Sequence, residues 1–256
     1  MESSYHRATE TIERKLIQRF AAGIAYISVT KDGDDSIGTC FHIGEDIFIT
    51  ARHVVEGKRI AKIARTDVGV WLTMAGTTTG DVGAEAKSIE GPFFHSDKDL
   101  DIAALRVRGL FATQIPFLPV LEDPFANKLL LRPIVVAGYP PIPLSISPVL
   151  VCASGQVNAS FESYVDKCRY NVVSCMARGG FSGGPVLTEP HHCLGMVVRA
   201  LVNNHESEQL GFMAVMPPLP ILEMLSENNI MPQYLVSEVW EPYMKQLEQR
   251  KSKRGR

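Results

Sequence analysis

No apolar run in this 256-residue chain is long enough to span a bilayer, and the N-terminus lacks the basic-then-apolar pattern of an export signal. The expectation is a cytoplasmic protein without membrane contact. Charge of one sign is also scarce: 26 Lys and Arg against 28 Asp and Glu give a net charge of −2 and a pI near 6.4. Such a balance sets up no field that would draw nucleic acid or an anionic surface, so neither is an expected partner. Cysteines number five (40, 152, 168, 175 and 193), odd in count and without tight spacing, which suits reduced thiols better than a disulfide framework. Paired metal-ligand spacings are missing too. His191-His192-Cys193 puts three ligand types in a row, but adjacent residues on a strand or turn point different ways, and no Cys-x-x-Cys or His-x-x-x-His supplies further ligands. No metal and no cofactor is expected.

What is plentiful is punctuation: 20 glycines and 16 prolines separate many short Val/Ile runs, the pattern of a strand-rich chain with many turns. Residues 6–22 form the exception. Ala8, Ile12, Leu16 and Phe20 fall four apart, with Glu10, Glu13, Arg14, Lys15 and Arg19 on other faces, which predicts an amphipathic helix. Its apolar stripe must pack on its own domain or on a partner protein. A strand is expected over 24–30, a polar turn over Lys31-Asp32-Gly33-Asp34-Asp35, and two further strands joined by a Gly44-Glu45-Asp46 turn. Residues 58–65 read as a strand, 75–81 as loop or hairpin, and 108–132, with Pro116, Pro119 and Pro124, as a connector. The strand pattern then restarts near 134, 149, 169, 194 and 211, so two all-β halves follow, each with enough strands to close a barrel. Residues 219–227 and 236–249 read as short helices, and Lys251 to Arg256 as a basic, solvated tail.

The stretch that carries chemistry is Gly179-Gly180-Phe181-Ser182-Gly183-Gly184-Pro185, which sets one hydroxyl on a glycine-rich turn between strand-like segments. Glycines there let the backbone bend sharply and aim its amides at a ligand, as a developing oxyanion requires. Two histidines lie upstream. His42 falls in mid-strand, whereas His53 follows Thr50-Ala51 where a strand ends, a place from which an imidazole reaches a cleft edge. Asp101, immediately before Ile-Ala-Ala-Leu, is the carboxylate drawn furthest toward the core, and it needs a donor such as a histidine N–H. Asp99 is the alternative.

These segments together resemble the trypsin-like (chymotrypsin-fold) serine proteases, in particular the HtrA-type, bacterial-style branch. Thr50-Ala-Arg-His53-Val-Val is similar to that family's histidine motif, Asp101-Ile-Ala-Ala-Leu to its aspartate motif, Gly180-Phe-Ser182-Gly-Gly-Pro to its nucleophile motif and Phe212-Met-Ala-Val-Met-Pro to its closing strand. The order His, Asp, Ser suits that fold and not the α/β-hydrolase order. The resemblance implies two six-stranded antiparallel β-barrels with the site in the cleft between them. The chain then divides into an N-terminal helix (1–22), a first barrel with His53 and Asp101 (23–120), a second barrel with Ser182 (121–218), and C-terminal helices with the basic tail (219–256). His53 is the implied general base, Asp101 its orienting carboxylate and Ser182 the nucleophile, with the N–H groups of Gly180 and Ser182 as the oxyanion hole and a protein or peptide as substrate. Met176 is the implied floor of the primary pocket, with Val198 and Arg199 in one wall. A methionine floor favours small or medium apolar residues, and Arg199 turned inward would instead favour an acidic one. Three departures stand out. The 39 residues after the closing strand (256 − 217) are too few for a PDZ module. Cys40 has no cysteine beside His53 to pair with. Phe181 occupies the place where zymogen-type relatives carry an aspartate, so competence without N-terminal cleavage is expected. The alternative is a protease-fold binding or scaffold module that has lost turnover.

Overall fold

The computed structural model describes residues 11–66, 85–110, 112–117, 129–175, 179–190, 192–202 and 209–254. Two tight turns with positive φ set up the first sheet. Asp32 (φ 53°) and Gly33 (φ 92°) join β1 (Ile24–Lys31) to β2 (Asp34–Gly44), a turn whose twist matches that of the flanking strands. Gly44, Glu45 and Asp46, all at positive φ, turn β2 into β3 (Ile47–Thr50), which runs into the segment that carries His53. With β4 (Arg59–Ala64), β5 (Ser88–Phe94) and β6 (Ala103–Arg108) the sheet has the order β4-β1-β2-β3-β6-β5. Its two edges approach each other at a bridge between Ala64 and Glu85, beside which the Ala86 N–H donates to the Ile63 carbonyl at 2.9 Å. The result is a curled half-barrel.

The second half is a closed barrel in the order β10-β11-β12-β9-β8-β7. Its strands are β7 (Pro133–Gly138), β8 (Val151–Glu162), β9 (Arg169–Ser174), β10 (Pro185–Thr188), β11 (His192–Val202) and β12 (Gln209–Met216). Strand β7 explains why its sequence is continuously apolar rather than alternating. Ile134 and Val136 point into the second barrel's core, while Val135 and Ala137 join the core of the first half, so both faces leave water. Tyr26 and Tyr139 meet edge to face across the same boundary, with ring centroids 5.5 Å apart.

Helix α1 (Ile12–Phe20) starts at Thr11, whose hydroxyl accepts from the Arg14 N–H. It buries Leu16, Ile17 and Phe20 in the protein's own core beside β7, while Ile12 at its start stays half exposed. The part of the expected helix before residue 11 lies outside the described residues, as does most of the 108–132 connector. A four-residue helix α2 (Arg52–Val55) follows β3. At the other end come α3 (Pro218–Glu227), with proline in its first turn, then α4 (Gln233–Leu235), a π turn (Val236–Trp240) and α5 (Glu241–Arg254). Among the described residues no helix is long and apolar enough to cross a membrane.

All five cysteines are free thiols. Burial pushes the Cys193 thiol up to about 12, and Cys40, fully enclosed, higher still. We predict five thiols when they are counted under denaturing, non-reducing conditions, and no reaction of Cys40 or Cys193 with a thiol reagent in the native protein. A denatured count of three or one would reveal bridges.

Candidate active site

The register of the first sheet brings His53 and Asp101 together. Strands β3 and β6 are antiparallel with Thr50 opposite Ala103, so the chain leaving β3 and the chain entering β6 lie side by side at one end of the sheet. Ala51 caps α2, and His53 takes the second position of that helix. The His53 backbone N–H donates to Asp101 Oδ1 at 2.9 Å, and His53 Nδ1 lies 2.7 Å from Asp101 Oδ2. A carboxylate accepts only, so Nδ1 carries the ring proton and Nε2 is left as the basic nitrogen. Asp101 is the more enclosed partner, its side chain 22% exposed against 51% for His53. Asp99, the alternative carboxylate, makes no hydrogen bond to His53; its N–H is taken by Asp97 Oδ1 at 2.9 Å.

Both segments are held from behind. The Arg52 guanidinium is buried against the Phe94 ring, 4.8 Å from its centroid, and donates to the carbonyls of His95 (2.6 Å) and Asp97 (3.4 Å). The Lys58 ammonium donates to the His53 carbonyl at 2.7 Å. From the far end of the chain, the Glu227 carboxylate in the last turn of α3 accepts from the Ser96 N–H (2.9 Å) and hydroxyl (2.8 Å), and the Asn228 amide donates to the Phe94 carbonyl at 2.9 Å.

Ser182 sits in the loop between β9 and β10, and that loop is fastened to the first sheet through one residue. Thr39 of β2 is fully buried. Its N–H donates to the Ser182 carbonyl (3.0 Å), its hydroxyl donates to the Gly180 carbonyl (2.6 Å) and accepts from the Tyr139 N–H (2.9 Å), and its carbonyl accepts from the Thr50 hydroxyl (2.7 Å). Gly183 (φ 85°) passes so close that a Cβ would lie 2.1 Å from the Thr39 carbonyl oxygen; no side chain fits there. Phe181 is buried in the second barrel's core and anchors the loop from the other side. The N–H groups of Gly183 and Gly184 are spent on the carbonyls of Val197 and Phe181, both at 2.8 Å. Those of Gly180 and Ser182 donate to no acceptor among the described residues.

His53, Asp101 and Ser182 line a single open cavity of about 520 Å³, together with Asp99, Gly179, Val198, Arg199 and Ala200. Ser182 Oγ donates to the Val198 carbonyl at a long 3.4 Å, and no Ser182–His53 hydrogen bond is present. Val198 contributes that carbonyl while its side chain is buried in the core. Met176 lies outside the described residues, so the floor expected there is not placed. Sequence reasoning passed over Thr39, Arg52 and Glu227. A hydroxyl within the apolar Gly-Thr-Cys-Phe run and a charge within Thr-Ala-Arg-His-Val-Val were visible signals of the first two; Glu227 carried none, because its partner is 131 residues away.

Residues 38–196 match the family model of the trypsin-like peptidase domain. No curated protein sequence matches the chain significantly. Among solved structures, the active form of the Rv3671c protease from M. tuberculosis is similar with a TM-score of 0.59 at 16% identity, over 82% of this chain and 82% of that one. The HtrA-type protease AlgW with a decapeptide gives 0.60 at 13% identity, over 86% of this chain and 68% of its own. The serine endoprotease from Yersinia pestis gives 0.57 at 15%, over 86% and 67%. At these identities the likeness is one of fold.

The Thr39 contacts generate a direct test. Replacing its hydroxyl by a methyl in Thr39→Val leaves the buried Tyr139 N–H and the half-buried Gly180 carbonyl without that partner, so urea unfolding should show a loss of about 2 kcal/mol, with Thr39→Ser within about 1 kcal/mol of wild type. Equal stability of Thr39→Val and wild type would contradict the role given to this residue.

Proposed function

Because the chain belongs to the trypsin-like peptidase family, we propose that it is a serine endopeptidase that cleaves peptide bonds through His53, Asp101 and Ser182 by way of an acyl-enzyme. The observation that carries this reading is the two-point His53–Asp101 pairing on the same cavity as Ser182, beside the N–H groups of Gly180 and Ser182, which have no acceptor among the described residues. The Ser182 hydroxyl is held only weakly by the Val198 carbonyl, and rotation about its χ1 turns Oγ into the cavity. His53 Nε2 then takes the hydroxyl proton as Oγ attacks the substrate carbonyl carbon. The carbonyl oxygen becomes an oxyanion received by the Gly180 and Ser182 N–H groups, each worth about 3 kcal/mol of transition-state stabilisation in such sites. As the C–N bond breaks, His53 returns the proton to the leaving amine, and a water molecule repeats the sequence to release the acid. Asp101 keeps the tautomer and stabilises the imidazolium throughout.

A peptide as substrate is supported by the AlgW structures, which hold a tripeptide and a decapeptide. The family resemblance implies a methionine floor at residue 176, which would favour small or medium apolar side chains before the cleaved bond. Activation needs no N-terminal cleavage in this reading, because packing orders the nucleophile loop: Phe181 is buried within one barrel and Thr39 fastens the other side. A module that had lost turnover would need neither the paired imidazole nor the open cavity, and no observation favours it.

A fluorophosphonate probe should label the intact chain at Ser182. Labelling should vanish in Ser182→Ala and His53→Ala and fall about 10⁴-fold in rate in Asp101→Asn, which loses tautomer control while keeping its shape. Labelling of wild type at another serine, or a larger loss in Asp99→Asn than in Asp101→Asn, would overturn the assignment.

A further inference from the structure

The cavity has walls of opposite charge. Asp99 comes from the loop before β6 in the first half, and Arg199 from β11 in the second. The Arg199 side chain is half exposed, yet it is not free to swing. Its Nη2 donates to Asp166 Oδ2 at 3.2 Å, and its guanidinium lies 5.5 Å from the centroid of the Tyr170 ring. Asp166 belongs to the turn between β8 and β9, and its side chain is 1% exposed. The turn is closed by the Ser163 N–H donating to the Cys168 carbonyl at 2.9 Å. The carboxylate also accepts the Tyr170 hydroxyl (2.7 Å) and the Cys168 N–H (3.0 Å). Burial alone would raise the Asp166 carboxyl; the Tyr170, Cys168 and Ser163 hydrogen bonds and Arg199 together hold it below the usual carboxylate range.

The electrostatic consequence is asymmetric. Asp166 is a satisfied anion behind the cavity wall, whereas Arg199 has five N–H donors, of which contacts to Asp166 and the Tyr170 hydroxyl use only part among the described residues. Stacked and tethered, the guanidinium is ordered before any ligand arrives, so little conformational freedom remains to be lost on binding. An apolar side chain laid on it would strip water from the remaining donors and offer nothing in return. A carboxylate would accept from them at charge-assisted distances. Asp99 and Asp101, which line the same cavity, repel an acid placed near them, so an acid is accepted only beside Arg199.

Building on the peptidase reading, we propose that Arg199 is a specificity-determining residue: it selects a glutamate or aspartate side chain in the peptide segment bound beside Ser182, with Asp166 and Tyr170 as the positioning residues that aim it. The test uses the intact chain as Ser182→Ala, so that selectivity is read by binding whether or not the serine turns over; labelling of wild type tests the peptidase reading separately. Fluorescein-labelled ten-residue peptides of Ala, Ser and Val carry one Glu or one Gln, moved through each position, and binding is followed by anisotropy. At one position or two adjacent ones, Glu should bind about tenfold more tightly than Gln at low salt, and the gap should shrink as salt is raised. Adding Arg199→Gln should abolish the gap, while Arg199→Lys, which keeps the charge and loses the fork, should retain part of it. Equal binding of Glu and Gln peptides at every position overturns the proposal, as does a Glu advantage that survives Arg199→Gln or a failure of every peptide to bind at millimolar concentration.

Discussion

The hydroxyl of Thr39 donates to one backbone group of the second barrel and accepts from another, and the geometry on both sides of the cavity depends on that pair of hydrogen bonds. A hydroxyl is the smallest side-chain group able to do both at once. With the Thr39 N–H on the Ser182 carbonyl and the Thr50 hydroxyl on the Thr39 carbonyl, a single residue places the serine loop relative to the strand that leads into His53. The bonds to Tyr139 and Thr50 are buried and that to Gly180 half-buried, where a lost partner is costly and a satisfied network is rigid. The close passage of Gly183 over Thr39 follows from the same constraint, since hydrogen bonds of this length leave no room for a side chain between the two backbones.

Opposite the serine loop, the acid loop is fixed by charge. Arg52 spends its guanidinium on carbonyls of the segment that leads to Asp101, and Glu227 of α3 takes the two Ser96 donors, so a helix from the end of the chain supports a loop of the first half. The half-exposed imidazole therefore rests on a frame anchored by the buried Arg52 and completed at the surface by Glu227 and Ser96. The cavity wall at Arg199 repeats this construction: a half-exposed cation tied to an enclosed carboxylate in a neighbouring turn.

Features legible in the sequence were those encoded within a few residues. The Lys31–Asp35 and Gly44–Asp46 turns, the strands on either side of them, the histidine at a strand end and the aspartate before a buried strand all carry local signals in residue type and alternation. The amphipathic stripe of α1 predicted its buried face at Leu16 and Phe20, whereas Ile12 of the same stripe stays half exposed. The helix expected over 236–249 begins instead as a π turn, a distinction that apolar spacing does not carry. Illegible were the contacts made across long separations: Thr39 with Gly180, 141 residues apart, Glu227 with Ser96, and Arg199 with Asp166. Asp166 reads as one polar residue at a hairpin tip, and only its enclosure by Tyr170, Cys168 and Arg199 gives it a role.

The central claim is that the unprocessed chain holds its nucleophile loop ready to receive an oxyanion. A crystal structure of the intact protein with a peptide boronate tests this most directly. The account predicts a tetrahedral boronate on Ser182 Oγ, one oxygen within hydrogen-bond distance of the Gly180 and Ser182 N–H groups, His53 Nε2 facing the adduct, and the Thr39 contacts unchanged. A boronate that does not bond to Ser182, or that does so only with the segment from Gly179 to Gly183 rebuilt and the Thr39 contacts broken, would contradict it.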